Sequence, residues 1–242
     1  MQSFDIIFFI IINKAEYFWY FIMHNVLDNL NSIQNEIKIK IKKLNLLNYN
    51  PKIIAVSKTF PIKDIIPLIN NGHIHFGENK VQEAVEKWTD IKNEFKSIKL
   101  HMVGKLQTNK VKFAVKLFDY IHSVDTLKLA KKISDEQKKL NKKIQVFIQI
   151  NVGNENQKTG IDINSASEFK NFCKELGLDV IGTMCLPPND GQPDIYFSKM
   201  LEVNRMLGLN EISMGMSNDY IKAINFKATY LRIGSKIFGE RN

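Results

Sequence analysis

Residues 53–72 read IIAVSKTFPIKDIIPLINNG, and this stretch indicates the unit from which the chain is built. It opens with a short apolar run, Ile53 to Val56, rich in β-branched residues, which is typical of a buried parallel strand. Residues 61–70 then place apolar side chains at helical spacing, and the Asn-Gly pair at 71–72 is a helix stop signal. The stretch therefore predicts a strand followed by a helix that packs against it.

The same strand–helix unit recurs along the chain. Further strands are predicted near residues 74–76, 100–103, 120–123, 144–150, 180–185, 211–213 and 229–233, each followed by a helical segment. Alternation with short connections predicts a parallel sheet covered by helices, and eight units favour a closed barrel. The predicted fold class is α/β, a single (β/α)8 TIM barrel forming one domain over residues 23–242. A helix over residues 23–46 is expected to pack outside the barrel.

Residues 1–22 form an atypical apolar N-terminal extension. Its two apolar runs, 6–12 and 17–23, are each shorter than the roughly 20 residues that span a bilayer. Asp5 is the sole charge before the first run and no small-residue cleavage site follows, so a signal peptide is not indicated. We interpret Met23 as the true start; the alternative is an anchor on a membrane surface.

Charge and cysteine usage bound the class of protein. The net charge of +9 is compatible with a polyanion partner, but the lysines are spread along predicted helices without interleaved aromatic residues. Solvated helix faces are the favoured interpretation, with no nucleic acid and no membrane partner, and polyanion binding stays as an alternative. Cys173 and Cys185 form neither a metal-binding spacing nor a disulfide framework, which predicts no metal site and a cytoplasmic location.

Candidate chemistry lies where the predicted strands end, because barrel enzymes build their sites at that face. Lys58 follows the first strand and is a candidate for Schiff-base formation, or else a lysine that extends to the rim. Asn79 follows the second strand and either caps the next helix or contacts a ligand. His101 and Met184 lie within strands and are interpreted as core residues.

Two segments near the end of the chain predict a phosphate site. Residues 213–217 (SMGMS) and 232–235 (RIGS) follow the seventh and eighth strands, where barrels commonly bind phosphate. Hydroxyl groups of Ser217 and Ser235 would join backbone N–H groups at helix starts; ordinary helix caps are the alternative. A lysine on one side, a phosphate cup on the other and Arg232 between them match what pyridoxal 5′-phosphate (PLP) requires.

On these residues the chain resembles the PLP homeostasis proteins, single-domain relatives of the alanine racemase N-terminal barrel. The resemblance covers about residues 26–241. The matching segments are 55–59 (AVSKT), 76–79 (FGEN), 81–83 (VQE), His101 with 104, 106–107 and 109–110, 149–151 (QIN), 158–160 (KTG), 213–217, 232–235 and 237–239 (IFG).

The resemblance implies a role for six residues. Lys58 is the Schiff-base lysine for PLP, and Asn79 lies near the cofactor. Ser217, Gly234 and Ser235 hold the phosphate, with Ser235 standing where the family often has threonine. Arg232 faces the pyridine nitrogen.

A carrier is expected rather than an enzyme, so no catalytic residue is assigned. Arg232 keeps its charge and cannot readily protonate the ring nitrogen, which leaves a poor electron sink. The related racemases take a second acid/base group from a C-terminal domain, and this chain ends at Asn242, just after the eighth unit. The expected function is PLP binding in intracellular PLP homeostasis or carriage, as a monomer, with PLP-dependent apoenzymes as recipients. The alternative is a weak PLP-dependent amino-acid racemase.

Overall fold

A computed structural model describes residues 25–153 and 159–240 of the chain. Eight parallel strands close into a barrel in sequence order. They are β1 (Lys52–Val56), β2 (His75–Glu78), β3 (Lys99–Met102), β4 (Tyr120–Val124), β5 (Gln145–Gln149), β6 (Asp179–Met184), β7 (Glu211–Met216) and β8 (Tyr230–Ile233). Closure occurs between β1 and β8, where Ile54 pairs with Arg232 and Ala55 pairs with Ile233. The predicted (β/α)8 barrel is confirmed.

Helices alternate with the strands on the outside of the barrel. The first, α1, covers residues 25–43 and precedes β1. The others are α2 (Ile62–Asn70), α3 (Val81–Glu94), α4 (Val111–Leu117), α5 (Leu127–Leu140), α6 (Ala166–Glu175), α7 (Pro193–Met206), α8 (Tyr220–Asn225) and α9 (Ser235–Phe238). Short 3-10 turns precede α4 and α6.

Strand alternation divides the apolar core into two layers. Outward side chains such as Phe76 and Leu231 join the large cluster between the sheet and the helices. Inward side chains such as Ile54, Phe147 and Met184 form a small cluster inside the barrel, as expected for Met184. Each fully buried aliphatic side chain contributes about 1.5–3 kcal/mol, so the outer layer dominates stability. The interior is small in apolar area and has room for polar groups.

Helix α1 packs on the outside of the barrel, as predicted. Val26, Leu30, Ile33 and Ile37 are buried and follow helical spacing. The amide of Asn29 donates to the Ile237 carbonyl at 3.0 Å, which joins α1 to α9. The predicted extension over residues 1–22 lies outside the described residues. Within residues 25–153 and 159–240, no helix has the length and apolarity needed to cross a membrane.

The seventh strand is longer than predicted. Residues 214–216, which lie beyond the predicted end of the strand at residue 213, belong to β7 (Glu211–Met216). Gly215 has φ +87°, and a Cβ added there would lie 2.7 Å from the Cβ of Ala223, so β7 and α8 approach closely at this point. Ser213 is therefore a buried strand residue, and within this segment Ser217 alone follows the strand.

Candidate functional site

Lys58 lies just past the carboxyl end of β1, at the mouth of the barrel. Its neighbour Ser57 is fully buried, whereas Lys58 itself is half-buried. Thr59 has φ +69°, a left-handed conformation that costs a non-glycine residue free energy unless the surroundings hold it. The backbone around Lys58 therefore needs external support.

That support comes from a group of polar side chains between β2 and α3, which we call the Lys87 network: Ser57, Glu78, Glu83, Lys87 and Trp88. Lys87 Nζ donates to the Ser57 carbonyl at 2.9 Å, to Glu78 Oε1 at 3.0 Å and to Glu83 Oε1 at 3.1 Å. Ser57 Oγ and Trp88 Nε1 also donate to Glu78 Oε1, at 2.8 and 2.9 Å.

Glu83 also holds this loop through a hydrogen bond to its backbone. Its Oε1 accepts a hydrogen bond of 2.5 Å from the backbone N–H of Thr59. The residues on both sides of Lys58 are thus fixed, Ser57 through its carbonyl and hydroxyl and Thr59 through its N–H. Lys58 projects from a loop whose course is set by a buried ion cluster.

Glu78 is buried beside the Lys87 ammonium in this network. Its side chain is fully buried, and that of Lys87 is 9% exposed. Burial raises the pKa of the Glu78 carboxyl, while Lys87, Trp88 and Ser57 act in the opposite direction. Within the described residues Glu78 Oε2 is buried without a hydrogen-bond partner. Glu78 therefore depends strongly on the cation beside it.

The loops after β7 and β8 converge next to β1. Ser217 Oγ accepts hydrogen bonds from the backbone N–H of Gly234 at 3.2 Å and of Lys236 at 3.4 Å. A Cβ added to Gly234 would lie 3.2 Å from the carbonyl oxygen of Val56, which places this turn against the end of β1. Ser235 is exposed at the start of α9. Ser217 and Gly234, predicted from separate segments, are in direct contact.

Arg232 lies inside the barrel and is 4% exposed. Its Nη1 donates to Ser213 Oγ at 2.6 Å and its Nη2 donates to the Cys185 carbonyl at 2.7 Å. Burial lowers the pKa of the guanidinium, yet arginine keeps its proton in proteins. The site therefore contains a fixed, permanently charged donor.

Asn79 follows β2 and does not cap α3. The residue at the start of α3 is Lys80, and no side-chain capping bond is formed there. The capping interpretation is wrong because the N-cap position is one residue further on. Asn79 instead packs closely on Gly104, where an added Cβ would lie 2.4 Å from the Asn79 carbonyl oxygen. Within the described residues Asn79 Oδ1 is buried without a hydrogen-bond partner. This orphaned polar atom is what a ligand's polar edge would satisfy.

Two groups of residues were missed by reasoning from the sequence. One is the Lys87 network; the other is a set of interior histidines, in which His101 is fully buried and hydrogen-bonded on both ring nitrogens, to His75 and His122. The interpretation of His101 as a core residue is confirmed. His75, His101 and His122 occupy inward positions of three consecutive strands, and strand alternation would have placed all three inside.

The donor set fits a phosphorylated pyridine aldehyde. It combines an amine (Lys58), a fixed cation (Arg232), hydroxyl and N–H groups at a shared turn (Ser217 and Gly234) and an unsatisfied amide oxygen (Asn79). PLP requires an amine for its aldehyde, donors for its phosphate and a partner for its ring nitrogen.

Comparisons with known proteins agree with this fit. The profile of the family described as "Alanine racemase, N-terminal domain" matches residues 29–242. A pyridoxal phosphate homeostasis protein of Haemophilus influenzae is 34% identical over 229 residues, which cover 90% of this chain and 97% of that protein.

Solved structures extend the likeness to three dimensions. PipY of Synechococcus elongatus PCC7942, in a structure with PLP bound, is 30% identical with a TM-score of 0.73, over 84% of this chain and 100% of PipY. An alanine racemase of Clostridium difficile 630 shares the fold at 18% identity with a TM-score of 0.68, over 90% of this chain and 57% of the racemase. On the family match and the sequence identity together, the chain belongs to the alanine racemase N-terminal domain family and, within it, to the pyridoxal phosphate homeostasis proteins.

Proposed function

We propose that this chain binds PLP as a Schiff base on Lys58 and serves PLP homeostasis, without robust catalytic turnover. The observation that carries the proposal is the convergence of three strand ends at one mouth. The Ser217 hydroxyl contacts the N–H of Gly234, and Gly234 lies against the end of β1, two residues before Lys58. Relatives named pyridoxal phosphate homeostasis proteins and a PLP-bound structure of PipY support it.

Each residue has a defined task in this proposal. Lys58 supplies the amine that joins the cofactor aldehyde. Ser217, Gly234 and Ser235 hold the phosphate at the paired loops after β7 and β8. The Gly234 N–H fixes Ser217 Oγ, which keeps its own proton to donate, and Ser235 supplies a second hydroxyl. Arg232 faces the pyridine nitrogen, and Asn79 offers its unsatisfied side-chain oxygen to the polar edge of the ring. When bound, PLP supplies an aldehyde carbon and a conjugated ring that can accept electrons.

Arg232 is the residue that argues for a carrier. A guanidinium that stays charged is a donor at every useful pH, so it does not hand a proton to the ring nitrogen. Without that proton the ring withdraws electrons weakly, which disfavours demanding carbanion chemistry such as transamination. Donation from the Arg232 guanidinium to the ring nitrogen would orient the cofactor without activating it, which suits a protein that holds PLP and later releases it.

The proposal includes a cytoplasmic location for the protein and a class of recipients for its PLP. Cys173 and Cys185 are both buried free thiols, which is compatible with a reducing cytoplasm. PLP-dependent apoenzymes are the chemical class that consumes free PLP, and we propose them as recipients.

The test is a visible absorption spectrum of the protein with PLP added and then dialysed. We expect a Schiff-base band that survives dialysis and is absent in Lys58→Ala. Lys112→Ala serves as the matched control, because Lys112 is an exposed lysine on α4 and should leave the band unchanged. A band that persists in Lys58→Ala contradicts the assignment. Steady racemisation of L-alanine by the wild type, lost in Lys58→Ala, contradicts the carrier.

A further inference from the structure

A continuous row of polar groups runs through the barrel interior from Arg232. Arg232 Nη1 contacts Ser213 Oγ at 2.6 Å, and Ser213 Oγ contacts His122 Nδ1 at 2.9 Å. His122 Nε2 then contacts His101 Nδ1 at 3.0 Å, and His101 Nε2 contacts His75 Nδ1 at 3.0 Å. Ser213, His122, His101 and His75 form what we call the histidine column, whose first three members are fully buried.

The hydrogen bonds of the column have one self-consistent direction. Arg232 can only donate, so Ser213 Oγ accepts from it and gives its own proton to His122 Nδ1. A neutral imidazole has one donor and one acceptor, so His122 carries its proton on Nε2 and donates to His101 Nδ1. The same rule makes His101 donate from Nε2 to His75 Nδ1.

The opposite direction leaves a buried group unpaired. If His122 Nδ1 donated to Ser213, the hydroxyl oxygen would accept twice and its proton would have no acceptor in the described part of the chain. A buried donor without a partner costs about 1–3 kcal/mol. The direction that begins at Arg232 is therefore favoured.

The column also requires neutral histidines, and the surroundings keep them so. Burial lowers the pKa of His101 and His122 well below the ordinary value, and the charge on Arg232 lowers that of His122 further. Burial lowers the pKa of His75 to about 4, helped by His73 and Lys52. A second proton on any of these rings would place two hydrogen-bond donors opposite each other and interrupt the column of hydrogen bonds.

We propose that the histidine column positions Arg232 for the cofactor: Ser213 fixes Nη1, and the three histidines fix the hydroxyl of Ser213 as donor to the column and acceptor toward Arg232. With Nη2 held by the Cys185 carbonyl, both terminal nitrogens of the guanidinium are anchored. The inference rests on the proposed function, since Arg232 is the group proposed to face the pyridine ring. Ser213 and His122 are positioning residues.

The first experiment reads the histidine tautomers without any cofactor. Protein labelled with ¹⁵N-histidine is studied at pH 7 by long-range ¹H–¹⁵N correlation, with assignments from single histidine substitutions among the five histidines of the chain. We expect His75, His101 and His122 to be neutral with the proton on Nε2. A proton on Nδ1 of His122 or His101 overturns the direction of the column.

The second experiment measures PLP dissociation constants by the absorption band. We expect Ser213→Ala to weaken binding about tenfold, as loss of a charge-assisted hydrogen bond implies, and Ser213→Thr to restore most of it. Thr183→Val is the matched control: Thr183 is fully buried and donates to Asn204 Oδ1 at 2.8 Å, outside the column, so its loss should spare PLP affinity.

The outcomes separate the two proposals. If the wild type binds PLP and Ser213→Ala binds equally tightly, the positioning role is wrong and the proposed function stands. If the wild type does not bind PLP, the proposed function falls, the positioning role falls with it, and the tautomers decide the column alone. If Ser213→Ala does not fold, the wild-type tautomers and His122→Gln, with the same expected loss of affinity, provide the test.

Discussion

Replacement of Lys87 by methionine removes the cation that Glu78 contacts inside the Lys87 network. Glu78 then keeps two donors, Ser57 Oγ and Trp88 Nε1, but remains fully buried. In the variant, the Glu78 carboxyl either stays ionised as an unpaired buried charge or takes up a proton. Protonating a carboxyl of ordinary pKa near 4.3 at pH 7 costs about 3.7 kcal/mol, so this value bounds the loss at Glu78 itself.

Two further hydrogen bonds disappear with the amine, those to the Ser57 carbonyl and to Glu83. Each contributes about 1 kcal/mol. Breaking one partner of a buried ion pair typically costs about 3–5 kcal/mol. We therefore expect Lys87→Met to lower the free energy of unfolding by about 3–5 kcal/mol at pH 7, measured by urea denaturation followed by far-UV circular dichroism.

The deficit of Lys87→Met should shrink in mild acid. Burial already raises the pKa of Glu78 beside Lys87, and loss of this cation, which lowers that pKa, raises it further. The folded variant therefore binds the proton more tightly than the wild type and loses stability relative to it as pH rises from about 4.3. Between pH 7 and pH 5 the cost of protonation falls by about 2.7 kcal/mol. A deficit below 1 kcal/mol at pH 7, or one that is equal at pH 7 and pH 5, refutes the reasoning.

Two variants control for other effects of the substitution. Lys87→Met with Glu78→Gln removes the charge as well as the cation, so we expect a smaller deficit that does not depend on pH. Lys222→Met removes an exposed cation 3.5 Å from Asp194, with side chains 51% and 46% exposed, and should cost less than about 1 kcal/mol.

Three other outcomes follow from the same contacts. The column histidines have folded-state pKa values below their unfolded value of about 6.5, so the free energy of unfolding should fall as pH drops from 6.5 toward 4. The expected slope is up to about 1.4 kcal/mol per pH unit for each histidine. Urea titrations at pH 7, 6 and 5 should show a flatter slope for His122→Phe. Burial raises the thiol pKa of Cys173 and Cys185 to about 12, so mass spectrometry should find neither alkylated by iodoacetamide at pH 8 in the native protein and both alkylated in urea. Gly104→Ala would place a Cβ 2.4 Å from the Asn79 carbonyl oxygen, and urea denaturation should show a loss of about 1–3 kcal/mol, whereas an unchanged midpoint would mean that the turn is not tightly packed.

The fold was predictable because its signals are local. A buried parallel strand is an apolar run, and a helix that covers it repeats every 3.6 residues, so each unit can be recognised without knowledge of the others. The end of β7 was mispredicted because SMGM at 213–216 contains a serine and a glycine, which usually mark turns. Here the serine is buried toward the barrel interior and the glycine lets α8 approach the strand. Both roles depend on tertiary contacts, which a local sequence pattern does not reveal.

The site was predictable only in part, for the same reason. Lys58, Ser217 and Gly234 follow strand ends, and the barrel brings strand ends together whatever residues lie between them. Lys87 gave no such signal: with Glu83 it forms an i,i+4 pair on a helix, a pattern typical of an exposed surface. It is buried because the β1–α2 loop folds over α3, a contact between residues 30 positions apart in the chain.

The two networks are joined by β2, whose alternation serves both. His75 points into the barrel and ends the histidine column, while Glu78 points outward and accepts from Lys87. This four-residue strand thus contributes Glu78 to the network that supports the Lys58 loop on the outer face of the barrel. It also contributes His75 to the column of hydrogen bonds that reaches Arg232 in the interior. A lysine on a fixed loop on one side and an anchored guanidinium on the other reduce the ordering that binding of a planar cofactor requires, because these parts are held during folding. Hydrogen bonds offset the desolvation of the buried polar groups in both networks. Within the described residues the oxygens Glu78 Oε2 and Asn79 Oδ1 are buried without a partner, and both lie where β2 ends.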